Sequence, residues 1–125
     1  MLSVETRVKR SSSLRQSYRQ SAERTTMAAD LAEKTDRYGE MLADALAAAE
    51  PAAPPGTPLG EAAAETYEMA DSYLDDGRHF READDPVNAL ASFSYGYGWL
   101  DAGVRFGLFE IPEETELFTT DAGDE

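Results

Sequence analysis

The chain has no cysteine, one histidine (His79), two lysines, four valines and one isoleucine in 125 positions. Without cysteine there is no disulfide, no thiolate nucleophile and no zinc ribbon. One histidine removes His-rich and two-His helical metal sites. His79 follows Arg78 directly and sits beside Phe80, where a protonated ring suits a helix C-terminus. With so few β-branched residues, and no alternation over five positions, nothing reads as a strand. No apolar run approaches the roughly 20 residues that span a bilayer, and the first residues lack the apolar core of a secretory signal. The expected setting is the cytoplasm, with no membrane contact. There is no Gly-x-Ser-x-Gly, no phosphate loop and no dinucleotide glycine pattern. No catalytic residue, metal ligand or cofactor is therefore assigned, and the chain is read as not an enzyme. The pairs Asp75-Asp76 and Asp84-Asp85 are read as solvated surface in preference to weak Mg²⁺ sites.

Large aliphatic side chains are also scarce. Leu, Ile, Val and Phe total 21, which with high net charge is the composition of disorder. Their distribution argues for folding. Between Pro86 and Ile111 stand Leu90, Phe93, Tyr95, Tyr97, Trp99, Leu100, Phe106 and Phe109, a density that something must bury. Twenty alanines and four methionines fill out a thin, close-packed helical core.

The formal charge of −14 is divided unevenly. Residues 1–25 carry six cations against Glu5 and Glu23, a net of +4, and the remaining 100 residues carry −18. The basic stretch is Ser-rich and lacks apolar periodicity. It reads as a flexible arm over residues 1–26, either a bland extension or a phosphate-contacting tail. Met27, where the first helical pattern begins, is an alternative start. The body, with Lys34 its only lysine, resembles in composition proteins of salt-accumulating archaea, whose carboxylates hold water in brine. Acidic clusters then reflect solvent more than a partner.

The body, residues 27–111, reads as three helices. Ala28, Leu31, Thr35, Tyr38, Leu42, Ala45 and Ala49 recur at alternating spacings of three and four. Pro51, Pro54, Pro55 and Pro58 make a stiff connector after that helix ends before Pro51. Thr57-Pro58 is a helix start, a hydroxyl cap followed by a ring suited to the first turn. The second helix places Ala63, Tyr67, Ala70, Leu74, Gly77 and Phe80 on one face, with Glu65, Glu68, Asp75, Asp76 and Glu82 opposite. Asp85-Pro86 starts the third, expected to run to Leu108 or Phe109. The acidic residues 112–125 read as a tail, with Leu117-Phe118 able to fold back. The fold class is all-α, an up-down-up three-helix bundle.

The third helix is apolar around nearly its whole circumference, and Gly96, Gly98, Gly103 and Gly107 are read as lying inside it. Each glycine costs roughly 1 kcal/mol against alanine, which close backbone approach can offset. Ser94, Gly98 and Ala102 form a stripe of small residues. Asp101 falls on the repeat Val87, Leu90, Ser94, Tyr97, Asp101, Val104, Leu108, where an apolar group is expected. Arg105, one turn on, is its natural partner, and Tyr67 or Tyr73 could offer a phenol. Tyr95, Tyr97, Trp99, Asp101 and Arg105 are the candidate interaction or polar-lock residues, of types that dominate interface energetics.

Asp85-Pro86-Val87-Asn88-Ala89-Leu90 and Gly98-Trp99-Leu100-Asp101-Ala102-Gly103-Val104-Arg105 resemble the archaeal family of unknown function DUF357, over about residues 28–110. The resemblance implies a small three-helix up-and-down bundle of archaeal origin and carries no activity or catalytic residues with it. Ala70 to Phe93 is also similar to a single tetratricopeptide-like hairpin, although no second copy follows at the required period. The expected role is a non-enzymatic interaction or adaptor module, its partner another protein or a second copy, working through the third helix. The alternative is a nucleic-acid accessory protein contacting phosphates through the basic arm. A small-ligand site between the second and third helices, with Arg105 and the tyrosines as polar contacts, is a third option. A body of −18 repels itself less as salt screens its charges. The melting temperature followed by circular dichroism should therefore climb from low to molar KCl, and a flat dependence would dismiss the salt-adapted reading.

Overall fold

A computed structural model describes the backbone of residues 4–112, with the side chains of Gln20, Ala22, Arg24 and those from position 26 onward. The chain order is α1 (Val4–Ala48), β1 (Glu50–Pro51), α2 (Pro58–Glu82), α3 (Pro86–Arg105) and β2 (Phe109–Glu110). The acidic stretch from 113 onward, with Leu117 and Phe118, lies outside the described residues. Contacts divide the chain into two units, Met1–Glu33 and Lys34–Glu125.

In the first unit the backbone is helical from Val4. Neither proline nor glycine interrupts residues 4–33, and Arg, Gln, Glu, Lys and Ala are good helix formers. Apolar periodicity, the signal used to place the start at Ala28, is absent here and was never required for helical backbone. The described side chains from Gln20 to Asp30 are exposed. Thr26 donates its hydroxyl to the carbonyl of Ala22 at 3.1 Å.

The second unit is the three-helix bundle. The Thr35 hydroxyl faces the Pro86 carbonyl at 3.4 Å, placing the beginnings of this part of α1 and of α3 together. The far ends meet where β1 pairs antiparallel with β2, Glu50 opposite Glu110 and Pro51 opposite Phe109. α2 runs the other way: Arg81, near its end, bonds Asp36 at 2.7 Å. Tyr67 donates to the Leu46 carbonyl at 3.0 Å. That is the up-down-up order. The two-residue ladder departs from the expectation of no strands. It forms because the proline connector cannot stay helical and lies beside the segment leaving α3, with Ala52 N–H bonded to the Leu108 carbonyl at 2.9 Å.

The helix boundaries follow from caps. Thr57 accepts from the Gly60 amide at 3.1 Å, with Pro58 in the first turn of α2. Asp85 accepts from the Asn88 amide at 3.2 Å and from the Asn88 side chain at 2.7 Å, again with proline next. α2 closes on a double hydrogen bond, Asp85 N–H to the Phe80 carbonyl and Asp84 N–H to the Arg81 carbonyl, with Asp84 at φ +59°. α3 closes in the same way, Leu108 to Gly103 and Gly107 to Val104, with Gly107 at φ +83°. This is the Schellman arrangement, which wants a left-handed residue just past the helix. α3 therefore stops at Arg105, short of the expected Leu108, and Gly107 is its terminator and not an interior residue.

The core is narrow. Phe93 is almost wholly buried, its ring lying against Gly39 of α1 and Gly77 of α2. An added Cβ at Gly77 would overlap that ring, and one at Gly96 would lie 2.7 Å from Leu42 Cδ2. Leu42 and Leu100 are fully buried, flanked by Ala45, Ala63, Ala70 and Ala89. The predicted α2 face is the buried one, with Ala63, Ala70, Leu74 and Gly77 inside and the five acidic positions opposite exposed. Gly77→Ala should lower stability by about 1–3 kcal/mol through overpacking against Phe93. Asp84→Gly should raise it by about 0.5–1 kcal/mol by relieving an L-residue at positive φ. Chemical denaturation of both variants reads the two opposite signs, and equal signs would contradict the geometry.

Candidate interaction surface on helix α3

The buried stripe of α3 is Ala89, Ser92, Phe93, Gly96, Leu100 and Gly103, spaced at threes and fours. This displaces the repeat through Val87, Ser94 and Asp101 that the sequence suggested. Small residues occupy four of the six positions of the true core stripe, so size misled the assignment. Val87 and Ser94 are exposed, and Asp101 stands at the flank of the helix with its side chain 29% accessible.

The five candidate residues consequently divide between two sides. Tyr95 and Trp99 face outward, 65% and 42% exposed, and Phe106 joins them at 79%. Tyr95 leans on Tyr73 of α2, ring centres 5.7 Å apart. Beside them Ser94, Gly98 and Ala102 line a shallow groove of about 320 Å³. A Cβ at Gly98 would meet nothing within 4 Å, so this glycine, unlike Gly96, is not demanded by packing within the chain. Val87 and Ala91 extend the same outer face toward the start of the helix. Helical phase brings these residues together, a second apolar stripe turned away from the core.

Tyr97 lies on the other side, half-buried against the core cluster. Asp101 accepts from Arg105 Nε at 3.2 Å, the expected pair one turn apart, while its other oxygen, Oδ1, is buried without a hydrogen bond. Neither proposed phenol serves Asp101: Tyr67 bonds the Leu46 carbonyl, and Tyr73 stacks on Tyr95. Burial, and secondarily the negative charge of Asp101, push the Tyr97 phenol above its ordinary value. Along α3 from Pro86 to Arg105, Asp101 and Arg105 are the only charged side chains, and they are bonded to each other. In a chain of −14, this helix is electrically neutral.

Elsewhere, His79 is exposed in the last turn of α2, edge-on to Phe80 at 6.2 Å. Among the described residues no group of three His, Asp or Glu is placed to hold a metal ion. Among them, too, no helix is long and apolar enough to cross a membrane. A groove of about 630 Å³ between α1 and α2 is lined by Asp36, Glu40, Arg78, Arg81, Glu82 and Phe93. Its charges are largely self-compensated, since Arg81 holds Asp36, whose carboxyl that hydrogen bond keeps below its ordinary range.

The sequence model of the family described as "Protein of unknown function (DUF357)" matches residues 37–109. The chain belongs to the DUF357 family. The matched span runs from the first core-lining turn of α1, through α2 and α3, to the first residue of β2, so the DUF357 region coincides with the packed bundle. No curated protein and no solved structure matches the chain. DUF357 membership thus fixes the bundle as the unit of interest and leaves its chemistry to be read from the surface.

A raised folded-state pKa means that Tyr97 contributes stability that is complete below the unfolded tyrosine value. That contribution is lost as pH rises through the folded one. Asp101→Asn should lower the Tyr97 midpoint, since one of its two causes is removed, without abolishing the elevation due to burial. Tyrosinate absorbance, compared with a Tyr97→Phe control, tests this; an upward or absent shift would refute the contact.

Proposed function

We propose that this DUF357 protein is a non-enzymatic interaction module whose working surface is the outer face of α3. The observation that carries the reading is the exposure of Tyr95, Trp99 and Phe106 on one side of a helix whose opposite side already fills the core. Aromatic rings left in water beside a groove are what an interface uses, and they contribute little to the isolated fold. The net neutrality of this face supports the same reading, because the only charged side chains of α3, Asp101 and Arg105, are already paired with each other.

The double variant Tyr95→Ser/Phe106→Ser should melt close to the wild type, losing no more than about 1 kcal/mol with the Tyr73 contact. Chemical crosslinking in the native host, followed by mass spectrometry, should lose the adducts formed by the wild-type chain. An identical adduct set from both proteins would exclude this face as the working surface.

A further inference from the structure

We propose that the occupant of the outer α3 face is a second copy of this chain, the two α3 helices packing antiparallel about a two-fold axis at Gly98. This rests on the interaction reading above and names its partner.

Charge selects the partner. A protein carrying −14 repels its own copies wherever carboxylates face one another, and α2 presents Glu65, Glu68, Asp75 and Asp76 to solvent. A cationic partner would be drawn to such faces, where attraction is strongest. α3 offers it nothing, since Asp101 and Arg105 cancel at 3.2 Å. The neutral, aromatic side is the part of the bundle where two identical polyanions can meet with little electrostatic penalty.

Shape then sets the register. Gly98, without a Cβ and open to solvent, allows the backbones to approach most closely. A two-fold axis there places each Ser94 opposite Ala102 of the second copy, groove against groove, so the Tyr95 and Trp99 ridges of the two chains meet along one edge of the contact. Such an interface is self-complementary, as two-fold contacts must be, and antiparallel helices oppose their dipoles. The strip is about 30 Å long and about 10 Å wide, roughly 300 Å² and below the about 800 Å² per partner of a standard interface, which points to a weak, exchangeable dimer.

Sedimentation equilibrium of the full chain, from low micromolar to millimolar concentration in low and molar KCl, tests this together with acrylamide quenching of Trp99, the sole tryptophan. The mass should rise from 13.7 kDa toward twice that value, association should tighten in molar KCl, and quenching should fall as dimer forms. Gly98→Glu sets two carboxylates face to face and should weaken association at least about 100-fold. Its fold should hold, because the new Cβ meets nothing and glutamate favours helix over glycine. A mass fixed at 13.7 kDa throughout would overturn the proposal. So would a dimer in which Trp99 stays fully quenchable, or one indifferent to Gly98→Glu. If self-association fails while host crosslinking still yields a different protein lost in Tyr95→Ser/Phe106→Ser, the interaction reading survives without this partner.

Discussion

The ring of Phe93, seated against Gly39 of α1 and Gly77 of α2, is the contact on which the bundle depends. A core in which five of the eleven buried apolar residues are alanine has little apolar volume with which to hold three helices together. The helices are held by close approach, and the two glycines permit that approach at the point where one of the two buried phenylalanine rings enters. Gly96 repeats the device one turn along α3, where Leu42 takes the space a Cβ would need. Close packing of this kind makes the core sensitive to any added volume at these glycines.

A narrow core has an outward consequence. The buried stripe of α3 accepts two large side chains, Phe93 and Leu100, and otherwise small ones. The bulk of Tyr95 and Trp99 cannot be accommodated there, and the helical period turns it to solvent. The same helix therefore serves the core through small residues and presents large ones outside, the reverse of an ordinary amphipathic helix. Tyr97 and Asp101 sit on the boundary between these regimes, which is why burial and a neighbouring charge both act on the Tyr97 phenol.

Much of this was legible in the residues. The caps at Thr57 and Asp85 were readable because hydroxyl or carboxylate followed by proline has one physical use at a helix start. The α2 face was readable because its apolar positions repeat at threes and fours against an acidic opposite side. The register of α3 was not, because its core positions are small and its exposed ones large, and periodicity of large residues is what a sequence reading follows. Its end was misjudged for a related reason: Gly107 counts as one more helical glycine unless its positive φ is known. The helical backbone from Val4 left no periodic trace, since propensity without an apolar face carries no pattern. Membership of the DUF357 family was visible in the Trp99–Arg105 run, a stretch that mixes the outer face, the core and the polar flank.

Salt acts on two scales in such a molecule. Within one chain, screening relieves repulsion among the carboxylates on the outer side of α2, and so favours the compact state. Between chains, the same screening lowers the barrier to approach, and a surface without net charge turns approach into contact most readily. On this bundle that surface is the outer side of α3, where the one acid is held by the one base. With the proposed self-association, a polyanion that keeps a neutral aromatic helix exposed would couple its stability and its capacity to associate to one variable. Dilute salt would then oppose both and concentrated salt favour both, because the hydrophobic contribution of Tyr95, Trp99 and Phe106 persists after charge has been screened.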